Sequence, residues 1–181
     1  MVLSPYRVNA GAADDLQDDS GETWTRDMGF WNTGVANAIN ADVEIDGTTT
    51  RDAIYRTSRT DQDSGEEMKW SFPLTNGSYR VVLHFAEHIH NSAGARRFDV
   101  GIEGNRVLQD FDIYVNAGNR RNRVVVRNFI VTVTDGLLEV EFLHRPGRSD
   151  PTVMAIEVTS TEALQGEVLT TPGQPFIVEV N

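Results

Sequence analysis

The sequence predicts an all-β fold: an antiparallel jelly-roll β-sandwich with long loops at one end. Three observations predict it. Apolar residues alternate with polar ones in run after run, turn-forming dipeptides separate the runs, and no window carries a helical stripe capped at both ends. At 181 residues the chain can bury one good core and is short for two.

The elements follow in order. Residues 10–50 are polar, acidic and rich in Gly and Asn, and read as long loops laid over the sandwich. Short helical turns are expected around Ala13 to Gln17 and Ala36 to Asn40. Met68, Trp70 and Phe72 form the first clear alternation, and Tyr79, Val81, Leu83 and Phe85 the second. Asn76-Gly77 lies between them and reads as a hairpin turn. Phe98, Val100 and Ile102 alternate next, then Phe129, Val131 and Val133, then Leu138, Val140 and Phe142. Asp46-Gly47 and Asp135-Gly136 are further turn signals. Val153 to Val158 and Phe176 to Val180 read as two more strands, with Thr159 to Pro175 as a surface linker. The expected division is a sandwich over 1–159, with 160–181 as linker and a last strand or tail packed on the same domain.

Composition narrows the function. Acidic residues outnumber basic ones 27 to 16, a net charge of −11, so nucleic acid and anionic membrane are poor candidates as partners and neither is expected. No apolar run reaches the ~18 residues of a membrane span, so no membrane insertion is expected. There is no cysteine, which removes disulfides and thiolate chemistry. Met1 to Pro5 lack the pattern of a signal peptide, so an exported protein would carry this chain as part of something longer.

Catalytic motifs are absent: no G-x-S-x-G, no P-loop, no H-E-x-x-H. His84 sits on a strand, where a satisfied sheet-face histidine is the favoured reading. His88 and His90 lie just past that strand with no third metal ligand at a telling spacing. Asp14, Asp15, Asp18, Asp19 and Glu22 make an oxygen-rich loop able to hold a structural calcium, but the EF-hand spacing is missing and a solvated acidic loop is favoured. Trp24, Phe30 and Trp31 fall in the non-periodic region. Such rings either plug the end of a core or offer a flat face to the C–H side of a pyranose.

Several segments resemble the malectin and malectin-like carbohydrate-binding family. They are RVNAG (Arg7 to Gly11), GETWTRD (Gly21 to Asp27), IDGTTTRDAIYRTSR (Ile45 to Arg59), FPLTNGSYRVVLHFAE (Phe72 to Glu87), RRFDVGIEGNRVLQDFDIY (Arg96 to Tyr114), VTDGLLEVEF (Val133 to Phe142) and DPTVMAIEV (Asp150 to Val158). The resemblance implies a galactose-binding-like sandwich and non-enzymatic binding of an oligosaccharide or polysaccharide. It implies no cofactor, and an extracellular or cell-surface place within a larger, bacterial-type protein whose other domains are partners.

The family's sugar site maps onto changed residues. The animal lectins place an aromatic where this chain has Thr60, two aromatics where it has Ile89 and His90, and an aspartate where it has Ser149, with Asp150 next to it. Trp31 lies in the loop that carries a further aromatic, seven residues out of register. Tyr55, Phe85, Phe98, Asp99, Asp110 and Asp112 match the family as scaffold. The expected carbohydrate-binding residues are Trp31, Arg59, Thr60, His88, His90, Arg148, Ser149 and Asp150. Two alternatives stand beside this reading: a structural or protein-interaction domain with a degenerate pocket, and a small hydrolase using a carboxylate pair.

Overall fold

The structure is a computed structural model, and it describes residues 6–39, 43–47, 52–62 and 65–162. Its strands are β1 (Tyr6–Asn9), β2 (Leu16–Gln17), β3 (Thr23–Trp24), β4 (Val35–Ala38), β5 (Thr57–Thr60), β6 (Met68–Pro73), β7 (Gly77–Ala86), β8 (Phe98–Ile102), β9 (Asn105–Phe111), β10 (Val124–Val133), β11 (Leu137–Leu143), β12 (Thr152–Val153) and β13 (Ala155–Ser160). A 3₁₀ turn covers Asp52–Tyr55, and one helical turn, α1, covers Ile113–Asn116.

Two four-stranded antiparallel sheets face each other, in the orders β1-β13-β7-β10 and β6-β11-β8-β9. Trp70, Phe72, Leu83, Phe85, Phe98, Val100, Val140 and Phe142 fill the space between them. These are the residues whose alternation marks the strands. The period of two sends each to one face, and the two apolar faces meet.

On β7 the alternation of burial stops at Val81, and Val81 through Ala86 are all buried. A second cluster explains this. Trp24, Ile54, Tyr55, Ala86, Met154 and Ala155 pack on the outer face of the same sheet. The polar loop region thus covers the sandwich and supplies a small second core. His84 points into it, with its Nδ1 2.8 Å from the Tyr55 hydroxyl and Trp24 edge-on to the ring.

Four expectations are corrected. Asn76-Gly77 does not make a hairpin, because β6 and β7 lie in opposite sheets. Asp135-Gly136 makes the same kind of crossing between β10 and β11. The two arches are tied together: Leu74 N–H donates to Gly136 O at 2.9 Å and Asn76 Nδ2 to Thr134 O at 2.7 Å. Alternating strands joined by a turn look alike whether the chain folds back in plane or arches over the core. The tight hairpin is β8–β9, through Glu103 and Gly104 at φ 51° and 69°, the left-handed pair that a two-residue turn requires.

The predicted helical turns at 13–17 and 36–40 are also replaced, by β2 and β4. Val153 to Val158 is two strands, not one. Met154 stands between β12, which pairs with β5, and β13, which pairs with β1 and β7. The predicted strand Phe176 to Val180, and the linker beyond Glu162, lie outside the described residues.

Gly11 shows how closely the loops approach the sheets. It sits at φ +78°, and a Cβ there would lie 2.2 Å from Ser58 O. Gly21 has a similar φ of +85° but nothing within 4 Å. Gly21→Ala should therefore cost only the backbone term, about 1 kcal/mol. Gly11→Ala should cost ~2–3 kcal/mol more, because backbone must move. Equal losses in urea unfolding would show that close approach at Gly11 contributes nothing.

Candidate functional site

Loops 87–97 and 144–151 meet at one end of the sandwich, and Glu87 organises the first of them. Its side chain is 1% exposed. One oxygen accepts the N–H groups of Ile89 and His90 at 2.9 and 3.0 Å, and the other accepts Arg96 Nε at 2.7 Å. Burial opposes the charge, but the Arg96 guanidinium and the two amides hold the carboxyl below its usual range. Arg96 also donates to the Asp150 carbonyl, and residues 96 and 149 form a β-bridge. Arg148 Nη1 donates to Gly94 O at 2.8 Å. The two loops are thereby locked to one another.

This places five of the expected residues on one rim: His88, His90, Arg148, Ser149 and Asp150. Ile89 projects between the histidines and is 68% exposed. His88 is turned inward, its Nδ1 2.9 Å from Asn122 Oδ1. Burial lowers its pKa, with Arg56 adding to the effect and the Asn122 bond opposing it. Thr60 joins at the edge, through hydroxyl contact with Thr152 at 2.9 Å, while Asp61 N–H donates to Pro151 O.

Trp31 and Arg59 form a separate pair. Arg59 is buried, donates to Asp27 at 2.7 Å and to Gly34 O at 2.6 Å, and its guanidinium lies 3.6 Å over the Trp31 ring. Trp31 is half-buried against the main core and bridges Trp70. The acidic loop turns inward at Asp18, whose carboxylate accepts from Ser20, Glu22 and Trp24 Nε1. Asp99 and Asp112 hold loops as well. Asp99 accepts from Asp110 N–H, Arg106 and Arg145, and Asp112 caps α1 and accepts Gly94 N–H.

Sequence reasoning left out one cluster at this end. His144 Nδ1 is 2.8 Å from Glu67 and 3.6 Å from Asp61, and its Nε2 is 3.4 Å from Asp150. Asp61, Glu67 and His144 could together offer ligand atoms to a metal ion, although an imidazolium bonded to Glu67 accounts for the same contacts. Residues 61 and 150 are far apart in the chain, so no local spacing signals the cluster. Arg121 was also passed over. It donates to Ile89 O from the 118–123 loop, at 3.4 Å, and its only sequence signal is an arginine-rich run in an acidic chain. A cavity of about 330 Å³ lies elsewhere, lined by Tyr6, Arg7, Asp15, Thr25, Arg26, Met28 and Phe30. It includes none of the expected rim residues.

The profile of the Malectin domain family matches residues 4–157. Among curated proteins, a probable LRR receptor-like serine/threonine-protein kinase of Arabidopsis thaliana is 28% identical over 156 residues, covering 74% of this chain and 15% of its own length. Receptor-like protein 4 of the same plant is 28% identical over 174 residues, with 87% and 27% covered. The chain therefore spans under a third of these relatives. Among solved structures, the extracellular domain of ANXUR2 from Arabidopsis thaliana aligns with a TM-score of 0.76 at 21% identity, over 84% of this chain and 47% of that one. A Bacteroides uniformis beta-glucuronidase aligns with a TM-score of 0.73 at 19% identity, over 87% and 18%. At these identities the structures establish the shared sandwich.

The histidines give the rim a pH dependence of two signs. Burial works against the charge on His144, but Glu67, Asp61 and Asp150 together raise its pKa above the ordinary value. Its stabilisation is fully present below about 6.5 and is lost as pH rises through the raised native value. Burial also raises Asp61, whose loss has the same sign and starts above the ordinary carboxylate value. His88 is shifted down, so its contribution is present above about 6.5 and is lost as pH falls through the lowered value. The Tm gap between wild type and His144→Gln should be widest near pH 5.5 and narrow toward pH ~8.5. His88→Gln should show the opposite trend. Parallel curves at every pH would mean that neither imidazole's pKa differs between the folded and unfolded states.

Proposed function

The chain belongs to the malectin domain family, a family of non-catalytic carbohydrate-binding modules, and from that premise we propose that it binds a glycan on the rim built by loops 87–97 and 144–151. The observation that carries this reading is the turn held by Glu87 and Arg96. It presents Ile89 and His90 to solvent on a backbone fixed by hydrogen bonds to the buried Glu87 carboxylate. A preorganised rim loses little entropy on binding, which is what a shallow polar site needs.

The residues divide the work. The His90 ring and the Ile89 side chain meet the C–H face of a sugar ring. Thr60, Ser149, Asp150 and Arg148 supply donors and acceptors for its hydroxyls. His88, turned inward onto Asn122, orients the loop. Trp31 and Arg59 stand behind the β5 edge as a packed wall. The pocket differs from that of the glucose-binding animal lectins, because Thr60, Ile89 and Ser149 replace aromatics and a carboxylate. Its glycan is accordingly a different one. We place the module in a longer carbohydrate-active or cell-surface protein of bacterial type, outside the cytoplasm. The curated relatives are receptor-like proteins several times its length.

A glycan array with the purified domain tests this, run with and without calcium. Binding to one glycan class is expected at a Kd of ~10 μM to 1 mM, unchanged by chelation because Asp18 is fully engaged within the protein. His90→Ala should weaken it about tenfold, the loss of one stacking contact, with Tm unchanged. Trp31→Ala should lower Tm first, since that ring is packed under Arg59. Wild-type affinity in both His90→Ala and Arg148→Ala would remove the rim from the site.

A further inference from the structure

Three carboxylates converge on His144 beside the rim. Asp61 directly follows β5, Glu67 directly precedes β6, and His144 directly follows β11. The imidazole Nδ1 is 2.8 Å from Glu67 Oε2 and 3.6 Å from Asp61 Oδ2, and Nε2 is 3.4 Å from Asp150 Oδ1. An ion pair between His144 and Glu67 answers only part of this charge. Even a protonated imidazole leaves three carboxylates facing one cation. Among the described residues, no Lys or Arg lies within 4.0 Å of the carboxylate of Asp61 or of Glu67. The Asp61 side chain is 0% exposed. Its bonded partners are two neutral amides, those of Gln62 at 2.7 Å and Met68 at 2.6 Å. A buried carboxylate in that position is costly unless a further cation joins it.

The spacing of these atoms suits a small ion. Metal–ligand bonds of about 2.0–2.1 Å, at tetrahedral or octahedral angles, set neighbouring ligand atoms roughly 2.9–3.5 Å apart. The two distances from His144 Nδ1 bracket that range. All three ligand atoms lie within 4.8 Å of one another, and the partly exposed Glu67 can close the remainder by turning. The ligands are also held from behind. Two amides fix Asp61, and the His144 N–H donates to Glu67 Oε2 at 2.9 Å. His144 Nε2 is buried and makes no hydrogen bond among the described residues. With a metal on Nδ1 the ring proton sits on Nε2, facing the Asp150 carboxylate. Histidines that ligate metals commonly donate to a carboxylate in this way.

We propose that Asp61, Glu67 and His144 Nδ1 form a binding site for a first-row divalent cation of the zinc type, with Asp150 as the carboxylate behind the imidazole. One nitrogen and two carboxylates select such an ion over calcium and magnesium, which take oxygen ligands. Three protein ligands leave a coordination position open to water. The role is structural: the cation ties the connection between β5 and β6 to the 144–151 loop. It stands apart from glycan binding, so either can fail without the other.

A proton and the cation compete for the same nitrogen of His144. The pH trends given above for His144 are therefore those of the chelator-treated protein.

Calorimetric titration of zinc chloride into the chelator-stripped, tag-free chain at about pH 7.5 tests the proposal, with Tm as a second readout. One saturable site is expected, with a Kd of about 10 μM or tighter. Zinc at roughly 0.2 mM should raise Tm by about 4 °C, and millimolar calcium should not compete. Glu67→Gln, at a partly exposed position that leaves the fold intact, should weaken zinc binding at least tenfold, and so should His144→Gln. A titration without saturable heat would overturn the proposal. Wild-type zinc affinity in either variant would also overturn it. Loss of zinc binding in His90→Gln would overturn it too, by assigning the ion to the turn that carries His88 and His90.

Discussion

The buried Glu87–Arg96 pair is the interaction on which the geometry of the 87–97 and 144–151 loops depends. Both side chains are nearly inaccessible, so each ion has lost its water. Such a pair contributes little net stability against an apolar equivalent, but removing one partner typically costs 3–5 kcal/mol. What it supplies here is geometry. The carboxylate holds two amides of the 88–90 turn, while the guanidinium reaches the carbonyl of Asp150. One ion pair therefore fixes both loops of the rim.

The same device recurs wherever this chain leaves regular structure. Asp27 binds Arg59 and Gly11 N–H, Asp18 accepts four donors from the 18–24 turn, and Asp61 accepts Gln62 and Met68. Long loops carry backbone N–H groups that no ladder satisfies, and burying them unpaired is costly. Carboxylates with several acceptor sites meet that demand compactly. Part of the chain's acidity is thus internal structure, not a surface field.

The strands were legible because a half-buried strand imprints its period on composition. Trp70, Phe72, Leu83 and Phe85 could be assigned on that basis alone. Which strands pair was not legible. Asn76-Gly77 has hairpin chemistry, yet Pro73 closes the β6 ladder and the chain arches over the core. The candidate rim was legible only in part, for a similar reason. His90 and Ser149 follow from the order of segments, whereas burial separates Arg59 from Arg148, two arginines that look alike in sequence. The His144 cluster needed the fold itself, since its carboxylates come from two segments far apart in the chain, 61–67 and 150.

The division between holders and presenters has a consequence for specificity. Glu87, Arg96 and Asp112 contact the backbone of the rim, and their side chains are spent on it. Among the described residues the side chains of Ile89, His90 and Ser149 make no hydrogen bond, whereas their amides do. The presented surface at Ile89, His90 and Ser149 can therefore be exchanged without disturbing what supports it.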